Sequence, residues 1–266
     1  MKTALWLGAL TAWGAMGVLP AVMFAQGRGG AGAGPGPAPT PKAGAPIDLT
    51  GYWVSLVTED WRFRMITPPK GDYASVPLNA AARMVADAWD PAKDEAAGEQ
   101  CKAYGAPAIM RVPGRVHITW ENDTTMRVDT DAGTQTRMFK FAAAGGAAAT
   151  SAASAGAPGW QGESVAVWEP SGGGRGRGPV NGGSLKVVTT HIRPGYLRKN
   201  GVPYSANATV TEYITKVTEP DNVTQYLIVT TIVDDPQYLN QPFVTSTHFK
   251  KEADGVKWSP SPCTAR

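Results

Sequence analysis

The chain contains three histidines, and each sits in a run of β-branched and aromatic residues: His117 in RVHITW, His191 in VVTTHIRP and His248 in VTSTHFKK. Three imidazoles brought to one point would form a metal centre with an open position for water or substrate, suited to Zn, Cu or Fe. Side chains two apart in a strand share a face. His117 therefore lies with Arg115 and Thr119, opposite Val116, Ile118 and Trp120. His191 lies with Val187 and Thr189, and His248 lies with Ser246, away from Phe243 and Phe249. All three stand on the more polar side of their strands. In a closed sheet that side is either a polar lining or the outer wall, so the imidazoles are read either as metal ligands and acid–base groups or as ordinary polar residues.

Other groups have comparable chemistry. In EDWRFRM, Glu59, Trp61 and Phe63 alternate with Asp60, Arg62 and Arg64. If the stretch is a strand, one face carries aromatics and the other paired charges. Arg62 or Arg64 at a cavity mouth would clamp an anionic ligand group. The turn PPKGDY presents Lys70, Asp72 and Tyr73, and RPGYLRKNGVPYS presents Tyr196, Arg198 and Tyr204. Pairs of Tyr with Lys or Asp can move protons. Asp234-Asp235-Pro236 reads as a turn whose Asp bonds the backbone. Cys-x-x-Cys and His-Glu-x-x-His are absent from the sequence, and GESVA opens a strand rather than a nucleophile elbow.

Most of the chain between these groups reads as strands. Turn residues at Pro113-Gly114, Asn122-Asp123 and Asp131-Ala132-Gly133 separate β-branched runs and predict successive antiparallel hairpins. GYWVSLV, WRFRMI, AIMRV, SVAVW, SLKVVTTHI, NATVTEYITKV, QYLIVTTIV and FVTSTHFKK add further strands. One helix is expected, capped by Asn79, with Ala81, Val85 and Trp89 on one face and Pro91 as its stop. A weaker turn covers 92–98. The low-complexity segments 142–159 and 171–178 are expected to be long hairpin loops.

Before the strands, residues 1–25 carry one early Lys and then a long uncharged run. This is the pattern of a secretory signal peptide, or of a membrane anchor if it is retained. Residues 26–46, rich in Gly, Pro and Ala, read as a flexible tether. The remaining residues, 47–266, suit one all-β domain. Of the 25 basic side chains three precede residue 47 and no acidic one does, so the domain balances its 22 acidic residues. That balance argues against nucleic acid as a partner, since a positive field is what releases counterions from phosphates. In an exported protein, the two cysteines Cys101 and Cys263 favour a disulfide.

A long meander with exposed edges is best closed into a barrel. Gly51-Tyr52-Trp53 resembles the Gly-x-Trp start of lipocalin-like barrels. A wider pattern covers nearly all of 47–266: LTGYW, CKAYGAPAIMRVPG, WQGESVAVWE, LKVVTTHIRPGYLRKNGVPYSANATVTEYI and IVDDPQYLNQPF. It resembles a large group of exported bacterial β-rich proteins of the Acidobacteria and Proteobacteria. There Gly-x-Pro-His-Ser is followed by a strand and by Asp-Asp-Pro-x-x-Tyr; here Tyr204 stands where the His usually does. The resemblance implies an exported β-rich domain and no particular reaction.

The sequence thus predicts an all-β, antiparallel, lipocalin-like barrel with one short helix, secreted or periplasmic, with two functions open. In the first, the lumen binds a small, partly aromatic molecule through Trp61, Arg62, Trp120, Tyr204 and Lys70. In the second, His117, His191 and His248 hold a metal for an enzyme of hydrolase, lyase or oxygenase type, supported by Tyr73, Tyr196 and Arg64.

Overall fold

A computed structural model describes residues 38–142, 156–171 and 182–266. Nine strands form a closed barrel: β1 (Gly51–Leu56), β2 (Arg115–Asn122), β3 (Thr125–Thr130), β4 (Gln135–Phe141), β5 (Glu163–Pro170), β6 (Gly183–Thr190), β9 (Thr209–Thr218), β10 (Gln225–Asp234) and β11 (Phe243–Glu252). Between β6 and β9 a two-stranded hairpin, β7 (Gly195–Arg198) and β8 (Val202–Tyr204), stands outside the ring. Around the barrel the order is β1-β11-β10-β9-β6-β5-β4-β3-β2, so β1 closes it by pairing with both β11 and β2. Among the described residues no helix is long and apolar enough to cross a membrane.

The all-β barrel is as expected, but it is not wholly antiparallel. Eight seams are antiparallel and one, β4 with β5, is parallel. Neighbouring directions can alternate all the way round only in an even-numbered ring, so nine strands force one parallel pair. The β4–β5 connection is therefore a crossover and not the hairpin loop expected at 142–159; residues 143–155 of it lie outside the described residues. The 171–178 segment does join antiparallel strands, with Ser171 N–H bonded to the Gly182 carbonyl, although 172–181 also lie outside the described residues.

Local chemistry accounts for the hairpins that were anticipated. Asn122 accepts bonds from Thr124 N–H and Oγ1 in the β2–β3 turn, and Gly133 takes a positive φ of 76° in the β3–β4 turn. Two expected strands are helical instead. Asp60 adopts a left-handed φ of 49°, which turns the chain into a one-turn helix, α1 (Trp61–Arg64), so the alternating faces assigned to EDWRFRM do not exist. Ile109–Arg111 forms a 3₁₀ turn rather than a strand. Asn79 caps α2 (Ala80–Asp87) as expected, accepting from Ala82 N–H at 2.9 Å. Its buried stripe is Ala82, Ala86 and then Trp89, not Ala81 and Val85, because the small residues let the helix lie closely against β8. Helix α3 (Pro91–Ala96) follows, capped by Asp90.

These helices, the β7–β8 hairpin and the 3₁₀ turns Gln100–Tyr104 and Ile109–Arg111 cover one end of the barrel. Residues 38–46, expected to be part of a tether, belong to the compact unit and lie across the other end. There Trp168 donates to the Pro41 carbonyl at 2.9 Å and Lys42 N–H bonds Asp123 O. The expected targeting segment 1–25 lies outside the described residues.

The barrel interior is filled. Trp53, Ile118, Met126, Phe139, Leu185 and Phe249 are among the fully buried side chains that meet there. Within this apolar mass lies one charged pair: Arg137 donates twice to Glu212, at 2.9 and 2.5 Å, with both side chains at 0% exposure. Arg137 also donates to Thr189 Oγ1 (3.2 Å), which shares a hydrogen bond with Ser164 Oγ (2.8 Å).

After β11 the chain runs back along the outer wall. Gly255 lies against the Tyr52 ring, Ser261 N–H bonds Asp131 O, and Cys263 forms the expected disulfide with Cys101.

Two stability outcomes are expected in urea denaturation of the purified protein. Glu212→Gln strands a buried guanidinium and should cost about 3 kcal/mol or more, whereas the double change Arg137→Met with Glu212→Leu should recover most of that loss. Cys263→Ala opens a loop spanning 162 residues and should cost about 4–5 kcal/mol by the chain-entropy relation.

Candidate functional site: an arginine cleft at the capped end

The three histidines do not meet. His117 is on the outer wall of β2, stacked on Tyr52 at a centroid distance of 3.9 Å, with Trp258 of the returning tail edge-on at 6.1 Å. His248 is on the outer wall of β11, with Nδ1 3.6 Å from Glu59. Their registered partners on β1, Tyr52 and Leu56, are four positions apart, so about 13 Å separates the two along the strands alone. His191 follows the end of β6, where a φ of 55° breaks the alternation, and its Nε2 bonds the Gly156 carbonyl at 2.7 Å. Among the described residues no three His, Cys, Asp or Glu side chains lie close enough together to hold a metal ion. The lumen centre for Zn, Cu or Fe is therefore corrected: His117 and His248 stand on the outer wall, and His191 follows the buried Val187–Thr189 face of β6 in a left-handed backbone that takes its ring to the Gly156 carbonyl.

The other candidates disperse too. Tyr73 donates to Asp87 at 2.7 Å, and burial together with that carboxylate pushes its hydroxyl up to about 12. Tyr196 donates to Asp94, and burial raises its pKa further still. Both phenols are thus fixed donors rather than proton acceptors at neutral pH. Tyr204 is buried among Gly105 and Gly195, and among the described residues its hydroxyl has no partner. Ser205, next to it, donates to Asp235, which also accepts from Ser205 N–H and Gln237 N–H. The GVPYS and DDPQY stretches thus meet in one backbone-organising cluster. Trp61 and Lys70 are exposed on the surface, and Arg62 pairs with Asp72 there. Trp120 does point inward, but at the far end, packed on Phe141.

Arg64 is the exception. Helix α1, the 3₁₀ turn Ile109–Arg111 and β7 each bring one arginine to a cleft of ≈ 140 Å³ at the capped end of the barrel: Arg64, Arg111 and Arg198. A water needs about 10–15 Å³ of such space, so the cleft has room for a small organic molecule. All three arginines are buried, at 8, 6 and 4% exposure. Arg64 Nε donates to the Arg111 carbonyl (2.9 Å) and Nη1 to Glu59; Arg111 Nη2 donates to Asp60 (3.1 Å); Arg198 Nη1 donates to the Ala74 carbonyl (2.7 Å). Four buried nitrogens remain without a partner among the described residues: Arg64 Nη2, Arg111 Nη1, and Arg198 Nε and Nη2. Phe63 lies under the Arg198 guanidinium, 4.1 Å from ring centroid to Cζ, and Ile66, Pro68, Val112 and Leu197 complete an apolar wall. Arg198 stood out in the sequence only as one polar residue of a loop. Arg111 was missed, though a lone Arg inside the apolar run AIMRV was the available signal.

The electrostatics are those of an incomplete site. Burial, and then the nearby Arg111 charge, hold Arg198 down at about 10, well below an ordinary guanidinium, and burial depresses Arg64 as well. A base whose pKa falls on folding binds fewer protons when folded. Stability therefore rises as pH climbs past about 10 toward the ordinary guanidinium value, and at neutral pH the folded protein carries the whole penalty. Lys199 borders the cleft but directs its ammonium at the hydroxyls of Tyr104 (2.6 Å) and Thr264 (3.1 Å).

The chain matches no family model, no curated protein and no solved structure.

In chemical denaturation Arg198→Met should cost less than about 1 kcal/mol, because an uncompensated buried charge is lost and the exposed Ala74 carbonyl can turn to water. Arg64→Met, which leaves both Glu59 and the Arg111 carbonyl without their donor, should cost about 2–3 kcal/mol.

Proposed function

We propose that this is an exported binding protein that holds a small anionic molecule in the arginine cleft at the capped end of its barrel. The observation that carries the reading is the set of four buried guanidinium nitrogens, partnerless among the described residues, on the three arginines that line that cleft. Buried polar groups are nearly always hydrogen-bonded, and the geometry of a guanidinium suits the oxygens of an anion. The filled interior speaks against a ligand in the lumen, and Phe63 and its neighbours in the cleft offer the apolar contact that a partly aromatic molecule needs. The Cys101–Cys263 disulfide and the charged-then-apolar start of the sequence support export to an oxidising compartment, as does the resemblance to exported bacterial β-rich proteins.

Thermal unfolding in chloride-free buffer tests this. Titrating benzoate, acetate, phosphate and sulfate into the protein should raise the melting midpoint for at least one anion, by the amount that ligand binding to the folded state alone requires. The rise should vanish in Arg198→Met and persist in Arg62→Met, whose arginine is on the surface. Equal responses in wild type and Arg198→Met would remove the cleft from the argument.

A further inference from the structure

We infer that the molecule bound in this cleft is a monocarboxylate with a flat apolar body, an aryl carboxylate in the simplest case; this rests on the anion-binding reading above. The first support is charge. Arg64, Arg111 and Arg198 bring three buried positive charges; Glu59 neutralises one at Arg64 and Asp60 another at Arg111. Among the described residues no carboxylate pairs with Arg198, so the deficit is a single negative charge. Lys199 does not add to it, since its ammonium is turned to Tyr104 and Thr264. A phosphate or sulfate dianion would bring one charge more than the buried arginines leave uncompensated.

The second support is the arrangement of donors. Arg198 leaves free Nε and Nη2, the two nitrogens of its side-on edge, whose N–H bonds run parallel. That edge matches the two coplanar oxygens of a carboxylate. Arg64 and Arg111 each add one further free nitrogen. A carboxylate offers about four lone-pair sites on its two oxygens, which equals the number of waiting nitrogens. A tetrahedral anion can lay only two of its oxygens in the plane of that edge and directs the others out of it.

The third support is the wall. The Arg198 guanidinium is already stacked on Phe63, so a carboxylate held in its plane carries its substituent out along the surface formed by Phe63, Ile66, Pro68 and Val112. Flat or compact apolar groups fit that surface, and a bare acetate leaves it wet.

Isothermal titration calorimetry of the purified full chain with benzoate, phenyl phosphate, benzamide, acetate and inorganic phosphate separates the possibilities. Benzoate should bind at least tenfold tighter than phenyl phosphate and tenfold tighter than acetate, with no heat from benzamide. Arg198→Lys, which keeps the charge but loses the fork, should weaken benzoate about tenfold and leave inorganic phosphate unchanged. Phenyl phosphate binding as tightly as benzoate would overturn the carboxylate assignment while leaving the anion site standing. Acetate matching benzoate would overturn the apolar body alone. Absence of binding by every anion, inorganic phosphate included, would end the anion-site reading itself.

Discussion

The Arg137–Glu212 pair clamps the barrel where its hydrogen-bonded ladder is weakest. The odd number of strands forces one parallel seam, and that seam, β4 with β5, has three registered pairs, the fewest in the ring. Pairing starts at Phe139, so the first half of β4 has no ladder partner on β5. From that unpaired half Arg137 reaches across the interior to Thr189 on β6 and Glu212 on β9, with Ser164 on β5 completing the set. Four consecutive strands are thus tied from within, where water cannot compete. Apolar packing fills the remaining volume but does not choose partners. A buried charge pair does, because any slip in register leaves a charge stranded.

The cleft depends on this rigid ring without being part of it. Its arginines come from three separate excursions: the turn after β1, the 3₁₀ turn before β2 and the hairpin between β6 and β9. Each excursion returns to the same end of the barrel. The positions of Arg64, Arg111 and Arg198 are therefore set by the spacing of strands that are distant in sequence. Glu59 and Asp60 hold two of them in place, and the stacking of Arg198 on Phe63 holds the third.

What the sequence revealed follows the range of the forces involved. The Asn122-Asp123 and Asp131–Gly133 turns, the Asn79 cap and the disulfide were legible because each depends on a few adjacent residues or on the pairing of the two cysteines. WRFR alternates like a strand, yet a single left-handed residue, Asp60, overrides the alternation. The parallel seam was not legible, since it follows from the total strand count and not from any segment. Which side of each strand faces inward, left open by the alternation, was not legible for a similar reason. Polar residues such as Arg137, Thr189 and Glu212 face inward because they satisfy one another, so on β6 the face shared with His191 is the buried one, whereas His117 and His248 stand on the outer wall. Arg64 was named as an anion clamp from its charge; that three arginines converge is a property of the tertiary fold.

The β1–β11 seam bears on how the protein comes into being. During synthesis from the N-terminus, β1 emerges before its partners and waits with both edges unpaired, one for β2 and the other for a strand nearly two hundred positions later. Cys101 likewise waits for Cys263. The barrel therefore cannot close until β11 has been made, and until then its apolar strands are the kind of surface that chaperones are needed to shield.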